Sequence, residues 1–298
     1  MISGGSGLIG KHLTSLLLSE GYKVSHLSRY QAHTVGVKTY YWDPGKNILD
    51  PSIFRDTEYL IHLAGANIGE RLWTKKRKKV IAESRVESAR LLHKIISTNN
   101  IPLKAFISAS AAGYYGNRGE TQLDEGNPPG QGFLADVCVA WEARARNAEK
   151  WGMRSVQVRT APVLLKGGGL LKQLMKSMSF GFTFRFGSGN QWFPWVHMTD
   201  LIRIYHLAIT DETLSGPVNA CAPQPVRFRD FLAHLTRFKK ALVIPFPVRI
   251  LKLFLQETAD VLLFSQRMRA AKLLERNFEF SFPTIEEAFR DIFVEGEG

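Results

Sequence analysis

Three glycines near the start of the chain have the spacing of a phosphate-binding turn. They form a G-x-x-G-x-x-G pattern at Gly4, Gly7 and Gly10, and leucines at helical spacing follow. In such a pattern the first glycine makes a tight turn, the second lets the backbone approach a pyrophosphate, and the third lets a helix pack closely on a strand. Free N–H groups at the helix start favour the anion. The residues expected to hold the pyrophosphate of a dinucleotide are Gly4, Ser6, Gly7, Leu8, Ile9 and Gly10.

The choice between NAD(H) and NADP(H) is usually made about 20 residues further on, where an acidic side chain binds the ribose hydroxyls of NAD. This chain has Ser28 and Arg29 there. A carboxylate would repel a 2′-phosphate, whereas a hydroxyl and a guanidinium can bind it. The alternative is an arginine that merely follows a strand on the surface. We predict that NADP(H) is the cofactor.

A series of βαβ units is expected to position these residues. As far as Arg159, short apolar or β-branched runs alternate with longer helical patterns, which is typical of a doubly wound parallel sheet of the Rossmann α/β type. Leu13, Leu16 and Leu17 predict the first helix, and Gly21 stands where its C-terminal cap belongs. The predicted strands cover residues 22–27, 37–42, 59–64, 105–110 and 155–159.

The second half of the chain has a different pattern, because glycine and proline punctuate shorter elements there. We expect a smaller C-terminal α/β lobe. The predicted Rossmann domain covers residues 1–165, with 187–212 returning to it, and the lobe covers 166–186 and 213–298. Ligands of open α/β sheets bind beyond the carboxyl ends of the strands, so this lobe is expected to close a small-molecule substrate cleft over the cofactor.

The composition indicates a folded protein and excludes several classes of function. Apolar residues make up 45% of the 298 residues, and the net charge is +12. The densest basic run, at 75–79, begins a helical pattern without aromatic interleaving, so a solvated helix face is favoured over nucleic-acid binding. Cys138 and Cys221 are the two cysteines, which predicts a reducing compartment and no metal site. No apolar stretch reaches the ~20 residues that span a bilayer, so we expect a cytoplasmic protein without a membrane partner.

Further motifs extend the set. They are Leu-Ala-Gly-Ala-Asn-Ile at 63–68, Ser84-Arg85, Ser-Ala-Ser at 108–110 leading to Gly-Tyr-Tyr-Gly at 113–116, and Arg-Thr-Ala-Pro-Val at 159–163. With the glycine turn, this set resembles the extended short-chain dehydrogenase/reductases. More narrowly, residues 187–197 and the tail at 278–283 are similar to the atypical branch of epimerase-family, or NAD-dependent epimerase/dehydratase-like, proteins.

The resemblance implies roles for five residues. Leu63, Ala64 and Gly65 would pass the adenosine and ribose side of the cofactor. Arg85 would point towards the phosphates or the adjoining site, and Val163 would offer its backbone to the nicotinamide amide. Leu63 and Ala64 are also plain buried strand residues, and the two roles are compatible because backbone groups make the contact.

The chain departs from the superfamily where proton transfer would occur. The superfamily's Tyr-x-x-x-Lys, whose tyrosine is the general acid/base, should precede Trp141 and Glu142. Counting back from Glu142 places Leu134 and Cys138 at those two positions. With Val137 and Trp141 they form an apolar stripe at helical spacing, which predicts a core helix.

Ser110 and Tyr114 remain as candidates for a catalytic role, since they follow a strand at the edge where hydride chemistry would occur. This segment can be aligned with the superfamily pattern in two ways that differ by one residue. Counting from the strand makes Ser110 the superfamily serine, whereas counting back from Gly116 puts Ala111 there. The alternative is a structural role for both candidates. Cys138 is disfavoured as a nucleophile because nothing in the sequence lowers its pKa.

His197 and Asp200 also invite a catalytic interpretation. The favoured role for this segment is a cap, in which Thr199 or Asp200 begins the next helix.

Members of this family have a full apolar strand before the glycines, whereas only Met1, Ile2 and Ser3 precede them here. Loss of a central strand would leave neighbouring backbone groups unpaired. We therefore expect the natural start to lie further upstream.

Two functions fit these features. The first is an NADP(H)-dependent oxidoreductase or sugar-nucleotide-type epimerase that acts on a small polar substrate, since the cofactor carries the chemistry and the protein mainly supplies positioning. The second is a non-catalytic NADP(H)-binding regulator, for example in cell division, that acts through a protein partner. Loss of the Tyr-x-x-x-Lys pair favours the second, and retention of the Val163 segment favours the first.

Overall fold

The order of strands and helices along the chain follows the predicted βαβ pattern. The computed structural model describes residues 1–30 and 34–294. Its strands are β1 (Ile2–Ser3), β2 (Ser25–Ser28), β3 (Lys38–Asp43), β4 (Ile48–Leu49), β5 (Tyr59–His62), β6 (Ala105–Ala111), β7 (Gln122–Leu123), β8 (Arg154–Thr160), β9 (Val163–Leu164), β10 (Phe182–Phe186), β11 (Trp192–Phe193), β12 (Val196–His197), β13 (Gly216–Ala220), β14 (Val226–Arg227), β15 (Leu242–Phe246) and β16 (Arg267–Met268). Its α-helices are α1 (Leu8–Ser19), α2 (Lys75–Thr98), α3 (Phe133–Arg146), α4 (Gly169–Met178), α5 (Met198–Thr210), α6 (Phe228–Phe238), α7 (Val248–Leu255), α8 (Asp260–Leu263), α9 (Ala271–Glu275) and α10 (Ile285–Phe293). Among these described helices, none is long and apolar enough to cross a lipid bilayer.

Within the described residues, eight strands pair in one sheet in the order β13-β8-β6-β5-β1-β2-β3-β4. Neighbouring strands are parallel, except that β4 runs antiparallel to β3. From the central β1 the chain builds β2 and β3 on one side, and then crosses over to build β5, β6, β8 and β13 on the other. This is the doubly wound Rossmann-type sheet that the sequence predicts. Its order reverses between β1 and β5, and such a switch point is where open α/β sheets bind ligands.

Helices cover both faces of the sheet. On one face, Leu13 of α1 and Ile204 of α5 share an apolar core with the strands. On the other, Leu92 of α2 and Ala145 of α3 pack in a second core with Phe106 of β6. Because both faces of the sheet are covered, the central strand β6 is buried along nearly its whole length.

The first connection brings α1 very close to the central strands. Gly4 has a φ of +76°, and a Cβ atom built there would lie 2.9 Å from the backbone N of Ala64. A Cβ atom at Gly10 would lie 2.4 Å from the carbonyl oxygen of Gly4. Both positions therefore require glycine, and Gly10 packs closely on the turn that precedes α1.

A smaller lobe has an apolar core of its own, to which α4, α6 and α10 contribute Leu174, Phe231 and Phe289. Its boundary differs from the sequence-based division. The segment Gly216–Ala220, which the sequence assigns to the lobe, forms the edge strand β13 of the large sheet and pairs with β8. Pro217 is compatible with this place because an edge strand leaves alternate N–H positions without a ladder partner.

Replacing Gly10 with alanine is expected to destabilise the fold more than the same change at Gly7, where a Cβ atom would lie 3.1 Å from the Gly4 carbonyl oxygen. A methyl group at Gly10 would overlap the Gly4 carbonyl group, and overpacking of this kind costs about 1–3 kcal/mol. Gly7 has a φ of −73° and a ψ of 176°, which any residue adopts. Urea unfolding of both variants beside the wild type measures the difference. An equal loss of unfolding free energy in the two variants would contradict the close approach of α1.

Candidate functional site

A cleft of about 1020 Å³ opens beside the switch point of the sheet. The predicted cofactor residues that line it are Gly4, Ser6, Gly7, Ser28, Arg29, Leu63, Ala64 and Gly65. Leu8, Ile9 and Gly10 form the helix start next to this lining. The structure thus brings the glycine turn (residues 4–10), the end of β2 and the segment after β5 into one site.

The start of α1 has unpaired donors at this cleft. The N–H group of Gly7 bonds to the Gly4 carbonyl oxygen at 3.0 Å, and the Gly7 carbonyl oxygen accepts from Lys11 at 3.0 Å. The amides of Leu8, Ile9 and Gly10 between them have no carbonyl acceptor within the helix. Gly7 offers no side-chain cap, and the first turn holds no acidic residue. This end of α1 therefore fits an anion such as a pyrophosphate.

Buried histidines fix the backbone beneath the glycine turn. The His62 ring at the end of β5 is hydrogen-bonded to the Ser3 hydroxyl at 2.6 Å and to the Ser88 hydroxyl at 3.0 Å. Burial lowers the pKa of His62 to about 3, so the ring is neutral and can donate with one nitrogen and accept with the other. A Cβ atom at Gly5 would lie 2.3 Å from the ring of His26. These contacts join β1, β5 and α2 directly under the cleft.

Arg29 directly follows β2. The residue is exposed, and its guanidinium carbon lies 5.7 Å from the centre of the Tyr30 ring. It has no acidic partner in the part of the chain that the structure describes. The neighbouring Ser28 hydroxyl accepts from the Tyr30 N–H group at 3.1 Å and is half-buried. A phosphate group beside β2 would therefore meet an uncompensated cation.

Sequence reasoning missed one wall of the cleft. Asp43 at the end of β3 and Asn47 in the following loop line it. Helix α2 lines it with Arg77, Ser84 and Arg90. The Asp43 carboxylate fixes this loop by accepting from the next N–H groups, at 3.0 and 3.3 Å. The Asp-Pro-Gly sequence is a turn signal that could have located the loop. The helix residues gave no such signal, because only the packing of α2 decides which of its faces meets the cleft.

Arg85 contacts the segment that follows β5 and the ring of Trp141. Its Nη1 donates to the carbonyl oxygens of Ala66 at 3.1 Å and Ile81 at 3.0 Å, and its guanidinium carbon lies 4.9 Å from the centre of the Trp141 ring. Arg85 is not among the residues that line the cleft. It holds the segment after β5 through these two carbonyl groups, and its expected role near the phosphates or the adjoining site stays a prediction.

Val163 also lies outside this cleft. It begins β9, which pairs with β12 so that Val163 stands opposite Val196. The residue is half-buried beside the core that α1 and α5 share. Its contact with a nicotinamide amide stays a prediction.

Ser110 belongs to a buried polar network. Its hydroxyl donates to Glu142 Oε1 at 2.7 Å. The Arg159 guanidinium donates to both oxygens of Glu142, with Nε–Oε1 at 2.8 Å and Nη2–Oε2 at 2.9 Å. The Glu142 and Arg159 side chains are only 2% and 3% exposed. The network joins β6, β8 and α3. In it the Ser110 hydroxyl donates its hydrogen bond to a buried carboxylate.

Arg159 connects this network to two tyrosines. Its Nη1 donates to the Tyr115 hydroxyl at 2.9 Å, and its guanidinium carbon lies 3.5 Å from the centre of the Tyr114 ring. Burial would lower the pKa of Arg159, but the hydrogen bonds and charge of Glu142 outweigh it and raise the pKa. Tyr114 is half-buried, and its hydroxyl has no hydrogen bond to any residue in 1–30 or 34–294. Of the two catalytic candidates, Tyr114 is therefore the one with a free hydroxyl.

Comparison with known proteins gives the family. A profile described as "NAD dependent epimerase/dehydratase family" matches residues 1–221, and one described as "Domain of unknown function (DUF1731)" matches residues 246–292. The chain belongs to the NAD dependent epimerase/dehydratase family.

Three relatives cover nearly the whole chain. Epimerase family protein Mb2239 of Mycobacterium bovis is 34% identical over 292 residues, which are 96% of this chain and 95% of that protein. The chloroplastic SDR39U1 homolog of Arabidopsis thaliana is 31% identical, covering 98% of this chain and 85% of that protein. The crystal structure of human epimerase family protein SDR39U1 with NADPH is similar with a TM-score of 0.87 at 28% identity, covering 98% of this chain and 97% of that one.

In this member of the epimerase/dehydratase family, α3 carries apolar side chains at the two counted dyad positions. Leu134 is half-buried in an apolar cluster with Trp73, Ile81 and Val137. Cys138 is 3% exposed, and its Sγ lies 3.9 Å from the Ala111 carbonyl oxygen. Burial, helped by the charge of Glu142, raises the pKa of Cys138 to about 12, so the thiol is protonated at neutral pH. Leu134 and Cys138 therefore pack like the apolar stripe of a core helix.

The start of α5 differs from the expected cap. His197 is the N-cap residue, and its Nδ1 accepts from the Thr199 N–H group at 3.3 Å. Asp200 instead accepts from the N–H groups of Ser281 at 2.7 Å and Phe282 at 3.0 Å. The expectation that Thr199 or Asp200 caps α5 was wrong, because the carboxylate is used to bind the C-terminal tail.

The double variant Leu134→Tyr, Cys138→Lys, which restores the superfamily residues at the counted positions, is expected to destabilise the protein. It would bury an ammonium group beside α3, and a buried charge without a dedicated partner costs about 3 kcal/mol or more. Thermal unfolding beside the matched apolar variant Leu134→Met, Cys138→Ala measures the effect. A melting temperature equal to that of the wild type would show that these positions face open solvent instead of the core.

Proposed function

We propose that this chain binds NADP(H) in the cleft beside β1 and β5. The observation that carries the proposal is the pairing of two anion sites in one cleft. The open amides of α1 lie at the glycine turn, and the uncompensated Arg29 stands beside Ser28 at the end of β2. A dinucleotide with a 2′-phosphate presents anions at two such points. The cleft of about 1020 Å³ has the size of a large ligand site.

The human relative supports the choice of cofactor. Its structure contains NADPH, and the similarity to this chain extends over both lobes at 28% identity. An acidic residue in place of Ser28 or Arg29 would favour NAD(H). In our proposal the Ser28 hydroxyl and the Arg29 guanidinium bind the 2′-phosphate, and the amides of the glycine turn bind the pyrophosphate.

We further propose that the bound cofactor serves hydride transfer, either as a net oxidoreduction or as a transient step within an epimerisation. When bound, a reduced nicotinamide supplies a hydride to the carbon of a substrate carbonyl group. The oxygen then needs a proton, and the free Tyr114 hydroxyl after β6 is the candidate donor. Arg159, stacked on the Tyr114 ring, positions it. The substrate class is a small polar carbonyl compound, free or nucleotide-linked, bound between the sheet edge and the smaller lobe.

Two observations favour a second function, a non-catalytic regulator. The apolar cluster around Leu134 and the bond between Ser110 and Glu142 remove two of the usual proton-transfer groups. An NADP(H)-binding regulator that acts through a protein partner needs none of them. Cofactor turnover with a panel of aldehydes, ketones and nucleotide sugars supports the enzyme, and tight binding without turnover supports the regulator.

Replacing Arg29 with alanine is expected to weaken NADPH binding ~10- to 100-fold, because a hydrogen bond to a charged group contributes about 1.5–3 kcal/mol. NADH lacks the 2′-phosphate, so its affinity is expected to stay within about threefold of the wild type. Isothermal titration with each dinucleotide measures both values. Lys23→Ala, which removes an exposed cation before β2, is the matched control. Equal losses for NADPH and NADH would show that Arg29 supports structure instead of reading the phosphate.

A further inference from the structure

Arg77 is a second arginine in the wall of the cofactor cleft. It lies in the first turn of α2 and lines the same cleft as Gly4, Ser6 and Gly7. Its side chain is 15% exposed. The Nε atom is fully buried and has no hydrogen-bond acceptor among the described residues.

The remaining contacts of Arg77 hold its guanidinium in place. Nη2 donates to the Asn67 carbonyl oxygen and lies 3.3 Å from Glu70 Oε2. The helix start itself is fixed, because the Thr74 hydroxyl accepts from the Arg77 N–H group at 3.1 Å. The buried Nε–H group is therefore held in place without a partner among the described residues, and an unpaired buried donor is destabilising.

The charges around Arg77 leave it available for an anion. The carboxylates in this wall already have cations: Glu83 pairs with Lys79 at 3.7 Å, and Glu87 pairs with Arg90 at 2.6 Å. Glu70, the partner of Arg77 itself, is 56% exposed, so water weakens that pair. Burial lowers the pKa of Arg85, and the positive charge of Arg77 lowers it further.

The strand order shows which phosphate Arg77 would meet. Arg77 is bound to the segment that follows β5, and β5 lies next to β1. The glycine turn follows β1 and touches that segment at Ala64. Arg29 follows β2, on the other side of β1. The glycine turn thus lies between these two arginines, and Arg77 is on the side of the turn away from Arg29.

We propose that Arg77 is an anion-binding group for the pyrophosphate of the dinucleotide, placed across the cleft from the amides of α1. This inference rests on the proposed cofactor function and deepens it. It adds a residue at the start of α2 to the phosphate-binding groups that the glycine turn supplies.

Titration of Arg77→Gln with NADPH and with NADH tests the inference. Both dinucleotides carry the pyrophosphate, so both are expected to bind ~10- to 100-fold more weakly, by factors that agree within about threefold. Arg71→Gln is the matched control, because it removes an exposed arginine that precedes α2 and lies outside this cleft. A change of less than about threefold for both dinucleotides overturns the inference, as does a loss confined to NADPH.

Two further measurements keep the outcome decisive. If Arg77→Gln does not fold, Arg77→Met takes its place, since methionine keeps an aliphatic stem and lacks both the charge and the Nε–H group. Unchanged affinity of that variant for both dinucleotides overturns the inference. A wild type that binds neither dinucleotide overturns the proposed function and this inference with it, whereas tight binding by the wild type and by both Arg77 variants overturns the inference alone.

Discussion

The close approach of α1 to the central strands is the constraint on which the cofactor site depends. Gly10 lies against the Gly4 carbonyl group and Gly4 against Ala64, so closely that neither position has room for a Cβ atom. This contact brings the open amides of α1 to the switch point between β1 and β5. Neutral, buried His62 holds the same region from below. The glycines therefore set both the packing of the sheet and the position at which an anion can bind.

The other half of the sheet depends on a buried ion pair. Glu142 and Arg159 fix α3 against β6 and β8, and a pair this deeply buried is retained only when its geometry satisfies both groups. The pair also engages Ser110 and stacks Arg159 on Tyr114. The same interaction thus stabilises the fold and contacts both catalytic candidates.

The sequence predicted the parallel sheet and the glycine turn because the period of the apolar residues and the spacing of the glycines are local properties of the chain. It placed the start of β2 too early, since Tyr22 still bonds back to Leu17 at the end of α1. It missed that Gly216–Ala220 belongs to the large sheet, because a proline masks an edge strand. The residues of α2 that line the cleft were the hardest to predict from the sequence. Arg77 and Arg85 differ by eight positions on one helix, and only its tertiary packing decides which guanidinium faces the cleft.

The preference of the wild-type protein for NADPH over NADH tests the central claim most directly. Isothermal titration of the purified chain with each dinucleotide at the same ionic strength gives the two dissociation constants. The account predicts that NADPH binds at least ~10-fold more tightly, because only its 2′-phosphate meets Ser28 and Arg29. Binding of NADH as tight as that of NADPH, or no binding of either, would contradict the account.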